Sequence, residues 1–250
     1  MSKRLILLSS FSLLLISAWL PGIILGQSQP GKALVERLGY PPETRLLIVH
    51  ADDLGLASSV NRAIFAALQA GRVSSASVMV PCPWVPQVAA EAKSHPEWDL
   101  GVHLTMNAEW KPFKWGPVAP ADKVASLVDP LGYLYETLDE SLRAIDPAEA
   151  ETEVRAQVER LKALGVQPTH LDSHMGTLLR TPQLFGMMLR VAREYRLPVM
   201  LPGNMLFMAP YAKELITEQD IVLDSMLSMY PGYPGAQPRT WSKGCREMIV

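Results

Sequence analysis

Short apolar runs alternate with amphipathic helical segments along most of this 250-residue chain, and this alternation restricts its possible folds more than any other feature. The first run, Arg45–Ala51, is largely apolar, as expected of a strand that is covered on both faces. The next segment has the apolar period of a helix and ends at Gly71. Strands are predicted at 45–51, 75–81, 99–106, 168–175, 198–203, 220–226 and 246–250, and helices at 58–71, 84–95, 147–164 and 181–197.

This order of strands and helices predicts an α/β fold built on a mostly parallel sheet. The expected architecture is a (β/α) barrel-like fold, which can be irregular or incomplete. An open doubly wound sheet is the alternative. In both, functional residues collect on the loops at the carboxyl ends of the strands. The chain contains no GxGxxG, GxxxxGK[ST] or GxSxG motif, so nothing supports a nucleotide cofactor or a serine hydrolase.

Composition and charge indicate an ordinary folded domain. Hydrophobic residues make up 48% of the chain and charged residues 19%, and the length fits a single domain at 27–250 that follows an N-terminal segment. The formal net charge of −2 gives no basic footprint, so no nucleic-acid partner is expected. The sequence does not indicate an oligomeric state.

Residues 1–26 differ from the rest of the chain. Lys3 and Arg4 precede a long apolar stretch that is interrupted by Pro21-Gly22 and ends at Gly26. A basic start, an apolar centre and a small residue at the junction predict a cleavable signal peptide, and hence a protein exported to the periplasm or the cell exterior. Because the stretch is long enough to cross a bilayer, an uncleaved membrane anchor is the alternative.

The two cysteines, Cys82 and Cys245, lie in neither a CxxC nor a Cys–His spacing, so neither is assigned a metal or catalytic role. Export would permit a disulfide bond between them. Two separate thiols that pack as small hydrophobic side chains are the alternative. The sequence leaves both interpretations open.

Three of the predicted strands end in residues that are suited to binding a metal ion. "HADD" places Asp52 and Asp53 at the end of the first strand, "GVHLT" contains His103, and "THLDSH" ends in His174. Because the carboxyl ends of parallel strands meet on one side of a sheet, we expect these side chains to converge. One carboxylate and two imidazoles form an open divalent-metal site that leaves positions for water and substrate.

The alternation of side chains along a strand suggests separate roles for these residues. In "THLDSH", His170, Asp172 and His174 point to one face, so His170 and Asp172 are predicted to lie deeper and to orient a ligand. Asp52 and Asp53 face opposite sides if their strand is regular. One of the two is then expected to bind metal while the other acts as a base.

Other histidines and aromatic residues give weaker signals. His50 and His95 are interpreted as structural or surface residues. A long Trp-containing insertion follows the third strand, and Trp110, Trp115 and Tyr133 are candidates for stacking on sugar rings. The alternative is that they cap the core as ordinary loop residues.

These motifs resemble a known family, the YdjC-like carbohydrate deacetylases, which include chitooligosaccharide deacetylases. The matching segments occur in the family's order from about Leu46 onward, and they read "IVHADDLGLASSVNRAI", "GRVSSASVMV", "LGVHLTM" and "QPTHLDSHMGTL". "ADDLGL" and "THLDSH" together are specific, whereas "GVHL" alone is weak. The resemblance implies a (β/α)-barrel-like fold, often irregular, and a divalent-metal hydrolase that removes acetyl groups from N-acetylated sugars.

The resemblance also implies roles for individual residues. Asp53, His103 and His174 match the family's metal ligands, and Asp52 matches the aspartate that acts as catalytic base. Mg²⁺ is the metal that the resemblance favours, while the mixed oxygen and nitrogen ligands are also suitable for Zn²⁺. The implied partner is an N-acetylated carbohydrate substrate.

The chain departs from the family pattern in two places. Family members commonly continue the "DSH" motif with further histidines, where this chain has Met175–Leu178. The sequence also ends at Val250, before a His-Pro pair that follows the family's late strand, so either the domain is truncated or this protein lacks that contribution, and the general acid is unassigned. Two rival functions therefore stand beside the deacetylase. One is another metal-dependent amidohydrolase or phosphoesterase, and the other is a non-catalytic carbohydrate-binding relative.

Overall fold

A sheet of four parallel strands forms the centre of the computed structural model, which describes residues 33–227. Each strand pairs with the next one along the chain. In order, the strands are β1 (His50–Leu54), β2 (Ser75–Val78), β3 (Leu100–Leu104) and β4 (Leu171–Ser173). Parallel strands that lie side by side in chain order are typical of the wall of a (β/α) barrel.

The sheet continues irregularly beyond β4. A parallel bridge joins Leu171 to Val199, next to the strand β5 (Leu201–Pro202), which pairs in parallel with β6 (Val222–Leu223). Within residues 33–227 the strands do not close into a complete barrel. The predicted α/β fold with a parallel, barrel-like and irregular sheet is thus confirmed.

Seven α-helices accompany the strands in the described part of the chain. They are α1 (Leu34–Arg37), α2 (Ser58–Gln69), α3 (Val85–Ala92), α4 (Leu138–Ala144), α5 (Pro147–Ala163), α6 (Pro182–Tyr195) and α7 (Ala212–Leu215). Short 3₁₀ helices lie at Ala121–Lys123, Ala125–Leu127, His174–Leu179 and Gly203–Met208. The four predicted helices correspond to α2, α3, α5 and α6.

Local capping sets the ends of the longer helices. The Thr181 side chain accepts a hydrogen bond from the Leu184 amide at the start of α6, and Pro182 occupies the first helical position. The side chain of Asp146 caps α5 in the same way. Four apolar residues of α5 are wholly buried against the sheet and its neighbouring helix: Ala150, Val154, Val158 and Leu161.

The first predicted strand is shorter than expected. β1 begins at His50, and the four apolar residues before it, Leu46–Val49, are 40–67% exposed. The prediction that both faces of this run are covered is therefore wrong for these residues. These residues precede β1, and within residues 33–227 β1 pairs with β2 alone.

Several sequence predictions fall outside the described residues. The predicted signal peptide at 1–26, the predicted strand at 246–250 and Cys245 all lie there. Cys82 is buried, and its pairing with Cys245 stays a prediction. Within residues 33–227, no helix has both the length and the apolar character needed to cross a membrane.

Candidate metal centre

Three side chains that are far apart in sequence meet at the carboxyl ends of β1, β3 and β4. Asp53 Oδ1 lies 3.4 Å from His103 Nε2 and 3.4 Å from His174 Nδ1, and the two nitrogens are 3.1 Å apart. Both histidines are almost fully buried. The predicted convergence of these three residues is what the structure shows, and among residues 33–227 they form the one cluster of at least three potential metal ligands.

Asp53 reaches this point because β1 does not stay regular. Asp53 has a left-handed backbone with φ 62°, and the pairing of β1 with β2 shifts register between Ala51 and Leu54. Non-glycine residues rarely adopt this conformation, and such strain is concentrated at functional sites. The alternation of a regular strand therefore does not apply here. The Asp53 side chain is partly buried at the cluster, while the side chain of Asp52 is exposed.

A buried asparagine fixes the turn that carries Asp53. Asn61, in α2, accepts a 2.7 Å hydrogen bond from the Gly55 amide through Oδ1. Its amide group donates to the Trp84 carbonyl oxygen at 3.1 Å and to Gln87 Oε1 at 2.9 Å. One side chain thus connects the loop after β1 to the loop after β2.

His174 comes directly after β4, as the first residue of a 3₁₀ helix. The following residues, Met175 and Gly176, have left-handed φ values of 52° and 67°. These conformations turn the chain sharply away from the sheet. The "MGTL" segment, in which the chain departs from the family pattern, therefore forms the turn beside the cluster.

Asp172 holds His103 from the side opposite the cluster. Its Oδ2 lies 2.8 Å from His103 Nδ1 and also accepts a 2.9 Å hydrogen bond from Ser77 Oγ. A carboxylate can only accept, so His103 Nδ1 carries a hydrogen, and in the neutral ring the lone pair on Nε2 faces the cluster. The prediction that Asp172 orients a ligand agrees with this geometry.

The other two histidines near the sheet lie outside the cluster, and only His170 differs from its predicted role. His170 lies next to Thr169 and Asp99 rather than a cluster residue, so the prediction that it orients a ligand directly is wrong. His50 lies beneath Asp172, with its Nε2 3.6 Å from Asp172 Oδ2, and its ring meets that of His170 edge to face. His50 is therefore part of the polar layer under the site.

Sequence reasoning missed Glu109. Its Oε2 lies 3.0 Å from Nε2 of His174, so that both cluster histidines contact a carboxylate on their outer nitrogen. Glu109 belongs to no motif. The signal that could have found it is its place in the loop that follows β3, at the carboxyl end of the sheet.

The carboxylates give the cluster a negative potential. Burial by itself would lower the pKa of His103, but the charges and hydrogen bonds of Asp172 and Asp53 raise it to about 10. Contacts with Asp53 and Glu109 likewise raise the pKa of His174 against the effect of burial. Burial also opposes the shift at Asp53, where the two imidazoles hold the pKa well below its usual range. The negative potential that raises the pKa of the two histidines also attracts a divalent cation.

The donor atoms fit such a cation. Asp53 Oδ1 is buried and has no hydrogen-bond partner, an arrangement that costs free energy unless something else satisfies the oxygen. Ligand atoms that share a cation at about 2.1 Å in tetrahedral or octahedral geometry lie about 3.0–3.4 Å from one another. The three separations in the cluster, 3.1, 3.4 and 3.4 Å, agree with that range.

The aromatic residues of the insertion fall into two groups. Trp115 is buried and donates a hydrogen bond from Nε1 to the Asn107 carbonyl oxygen at 3.1 Å, so the stacking hypothesis is wrong for it. Trp110 and Tyr133 are 42% and 39% exposed. Trp110 is the residue next to Glu109, which places an exposed ring in the loop that touches the cluster.

Residues 46–243 match the sequence profile of the family described as YdjC-like protein. The chain belongs to this family. The match includes all three cluster residues together with Asp52, Glu109 and Asp172, and the family predicted from the motifs is confirmed.

Relatives with similar sequences carry deacetylase names. The chain is 39% identical over 172 residues to a carbohydrate deacetylase of Thermus thermophilus, an alignment that covers 69% of this chain and 59% of the relative. It is 36% identical to a carbohydrate deacetylase of Brevibacillus brevis, covering 62% and 59% of the two chains. It is 32% identical to a chitooligosaccharide deacetylase of Yersinia enterocolitica, covering 62% and 58%. The chain thus spans about three fifths of the length of these relatives.

A solved structure shares the fold. A crystal structure from Enterococcus faecalis V583, described as a candidate cellobiose-phosphate cleavage protein, aligns with a TM-score of 0.65 and 26% sequence identity. The alignment covers 81% of this chain and 74% of that one. The overall fold is therefore shared with a second protein.

Proposed function

We propose that this protein is a metal-dependent carbohydrate deacetylase that removes acetyl groups from N-acetylated sugars or oligosaccharides. The observation that carries the proposal is the convergence of Asp53 Oδ1, His103 Nε2 and His174 Nδ1 on one point. The deacetylase names of the relatives support the reaction and the substrate class. The activity is proposed from relatives, and this chain spans about three fifths of their length.

Asp53, His103 and His174 would hold the cation, which when bound supplies Lewis-acid polarisation of the acetamide carbonyl. Two nitrogen donors and one oxygen donor are suitable for Zn²⁺ and are acceptable to Mg²⁺. The family resemblance favours Mg²⁺. The identity of the metal is therefore part of the proposal, and both ions belong in its test.

Asp52 is proposed as the general base. Its exposed carboxylate directly precedes Asp53 in the chain, at the carboxyl end of β1 where a substrate would arrive. Asp52 takes a proton from a water molecule as the water oxygen bonds to the carbonyl carbon of the acetamide. The C–N bond then breaks with its electron pair going to nitrogen, which takes up a proton, and the products are acetate and a free amine.

Acetate release from N-acetylated oligosaccharides tests the proposal. We expect release by the full chain, loss of release after treatment with a chelator, and recovery when Mg²⁺ or Zn²⁺ is added back. Release that continues unchanged in chelator would show that the metal is not needed. No release with either metal would remove the deacetylase assignment.

A second candidate function comes from the structural relative. Its description as a candidate cellobiose-phosphate cleavage protein favours a phosphorylated sugar as the substrate of a related site. The same cation-binding residues are suitable for phosphoester hydrolysis. Assaying phosphate release in parallel with acetate release distinguishes the two reactions. A sugar-binding protein without activity would release neither product.

We also propose that the protein acts outside the cytoplasm. The support is the basic start, apolar centre and small junction residue of the segment 1–26. Fractionation of the producing cells, with mass measurement of the protein, should find a form that lacks these residues in the periplasm or medium. A membrane-bound form of full mass would support the anchor instead.

A further inference from the structure

Glu109 contacts one of the candidate metal ligands but belongs to no recognised motif. Its carboxylate is 28% exposed and lies in the loop after β3, with Oε2 3.0 Å from His174 Nε2. The same oxygen accepts a hydrogen bond from Asn107 Nδ2 at 3.3 Å. The function of this contact depends on which nitrogen of His174 carries the hydrogen.

Both nitrogens face a carboxylate, but only the 3.0 Å contact of Nε2 with Glu109 is a hydrogen bond, while Asp53 Oδ1 has no hydrogen-bond partner. A carboxylate can only accept, so the contact with Glu109 decides the position of the hydrogen in the neutral ring. His174 Nε2 then carries the hydrogen and donates to Glu109, and the lone pair of the neutral ring is on Nδ1. Nδ1 is the nitrogen that lies 3.4 Å from Asp53 Oδ1 and 3.1 Å from His103 Nε2. In the other tautomer a hydrogen on Nδ1 would point into the cluster and block a cation.

Buried contacts hold Glu109 in place. Asn107, its hydrogen-bond partner, is wholly buried, and the hydroxyl of Thr177 lies 3.0 Å from Asn107 Oδ1. The same hydroxyl is 3.1 Å from the carbonyl oxygen of His174. The loop after β3 and the turn after β4 are thus connected by hydrogen bonds behind the cluster. Glu109 is held by this connection and is not a free surface side chain.

We propose that Glu109 is a positioning residue that fixes Nδ1 of His174 as a metal-binding atom. Asp172 fixes Nε2 of His103 in the corresponding way. The two imidazoles would then bind the cation through different nitrogens, each oriented by its own carboxylate. The inference rests on the metal site of the proposed function and adds a residue that lies outside the segments on which the resemblance was based.

Calorimetric titration of the full chain with Zn²⁺ tests this role without measuring turnover. We expect Glu109→Ala to weaken Zn²⁺ affinity 10–100-fold, the range typical of lost orienting partners. Glu109→Gln should weaken it less, because the amide oxygen still accepts from Nε2–H. Glu136→Ala is the matched control, since Glu136 lies in the same insertion with 30% exposure and pairs with Lys111 and Lys114. The control should bind Zn²⁺ like the wild type.

Long-range ¹H–¹⁵N spectra of the histidine rings give a second readout. In the Zn²⁺-loaded wild type we expect a hydrogen on Nε2 of His174 and on Nδ1 of His103. In the Zn²⁺-loaded Glu109→Ala variant, the hydrogen of His174 should no longer be confined to Nε2, while that of His103 should stay on Nδ1. A variant that failed to fold would be recognised by its thermal transition, and Glu109→Gln then provides the comparison.

The outcomes separate this inference from the proposed function. Unchanged Zn²⁺ affinity in Glu109→Ala, or Zn²⁺ on Nε2 of His174, would overturn the positioning role while the metal site stands. Absence of Zn²⁺ and Mg²⁺ binding in the wild type would instead overturn the metal site itself. Weaker affinity in Glu109→Ala together with the expected tautomers supports both.

Discussion

Asp52 and Asp53 are neighbours in the sequence, but the left-handed backbone at Asp53 gives their carboxylates different surroundings. We predict that Asp52→Asn lowers kcat about 10²–10⁴-fold, the usual contribution of a general base, and leaves Zn²⁺ affinity unchanged. Asp53→Asn should lose both metal binding and turnover. Acetate-release kinetics and calorimetry on each variant check this prediction. Normal turnover in Asp52→Asn would show that another group is the base.

The raised pKa of His103 predicts how metal binding depends on pH. With a pKa of about 10, His103 is protonated in the metal-free protein at neutral pH, and the cation must displace that proton. The apparent Kd for Zn²⁺ should therefore fall about tenfold per pH unit between pH 6 and 8 for each proton released. Calorimetry in buffers of different ionisation enthalpy measures the released protons. A Kd that is constant over this range would contradict the prediction.

The raised pKa of His103 also affects the stability of the metal-free protein, which should fall as the pH rises. A histidine whose folded pKa is raised stabilises the fold below its unfolded pKa of about 6.5, and this contribution is lost as the pH rises towards about 10. Chemical denaturation in chelator should therefore show the free energy of unfolding falling from pH 6.5 upward. His103→Asn should lack most of this dependence.

At the scale of elements, the turn between β1 and α2 depends on the side chain of Asn61. Asn61→Ala leaves the buried Gly55 amide without its acceptor, which we expect to cost about 1–3 kcal/mol of stability. Because that turn also places Asp53, Zn²⁺ affinity should fall as well. The control is Thr181→Ala, which removes the cap of α6 and should cost about 1 kcal/mol without changing the affinity. Denaturant unfolding and calorimetry measure both quantities.

The sequence predicted those elements whose signals are local. The helices predicted at 58–71, 147–164 and 181–197 correspond to α2, α5 and α6, because apolar periodicity and capping residues act within a few residues of the chain. The turn at Asp53 was not predictable, because strand alternation assumes a regular backbone and the left-handed residue breaks it. The exposure of Leu46–Val49 depends on which elements pack against these residues in the folded chain. Composition alone does not contain that information.

The residues of the candidate site also divide into those that the sequence predicted and those that it did not. Asp53, His103 and His174 were predictable because each follows or ends an apolar run, and parallel strands bring such ends together. Asp172 was predictable from its spacing within "THLDSH". Glu109 was not, because the path of a long loop through space decides which of its carboxylates meets His174. Residues carried by strands are therefore easier to place from sequence than residues carried by loops.

At the scale of the whole molecule, the cluster connects distant parts of the sheet. Within residues 33–227 β1 lies at one edge of the four-stranded sheet, and Asp53 at its end meets ligands from β3 and from the turn after β4. A cation held by all three would link these elements, in addition to the hydrogen bonds of the sheet. It would also replace the unfavourable burial of Asp53 Oδ1 by a bond. Binding of the cation is thus expected to act on the stability of the whole fold.

This expectation gives a prediction about thermal unfolding. A ligand that binds only the folded state at 100 times its Kd adds about 2.7 kcal/mol of stability. For a domain of this size, that corresponds to a rise in Tm of about 5–10 °C. Circular dichroism melts of the full chain with Zn²⁺ should show this rise, and chelator should reverse it. Asp53→Asn should show no shift, while Asp52→Asn should shift like the wild type. An equal shift in Asp53→Asn would mean that the ion stabilises the protein at another site.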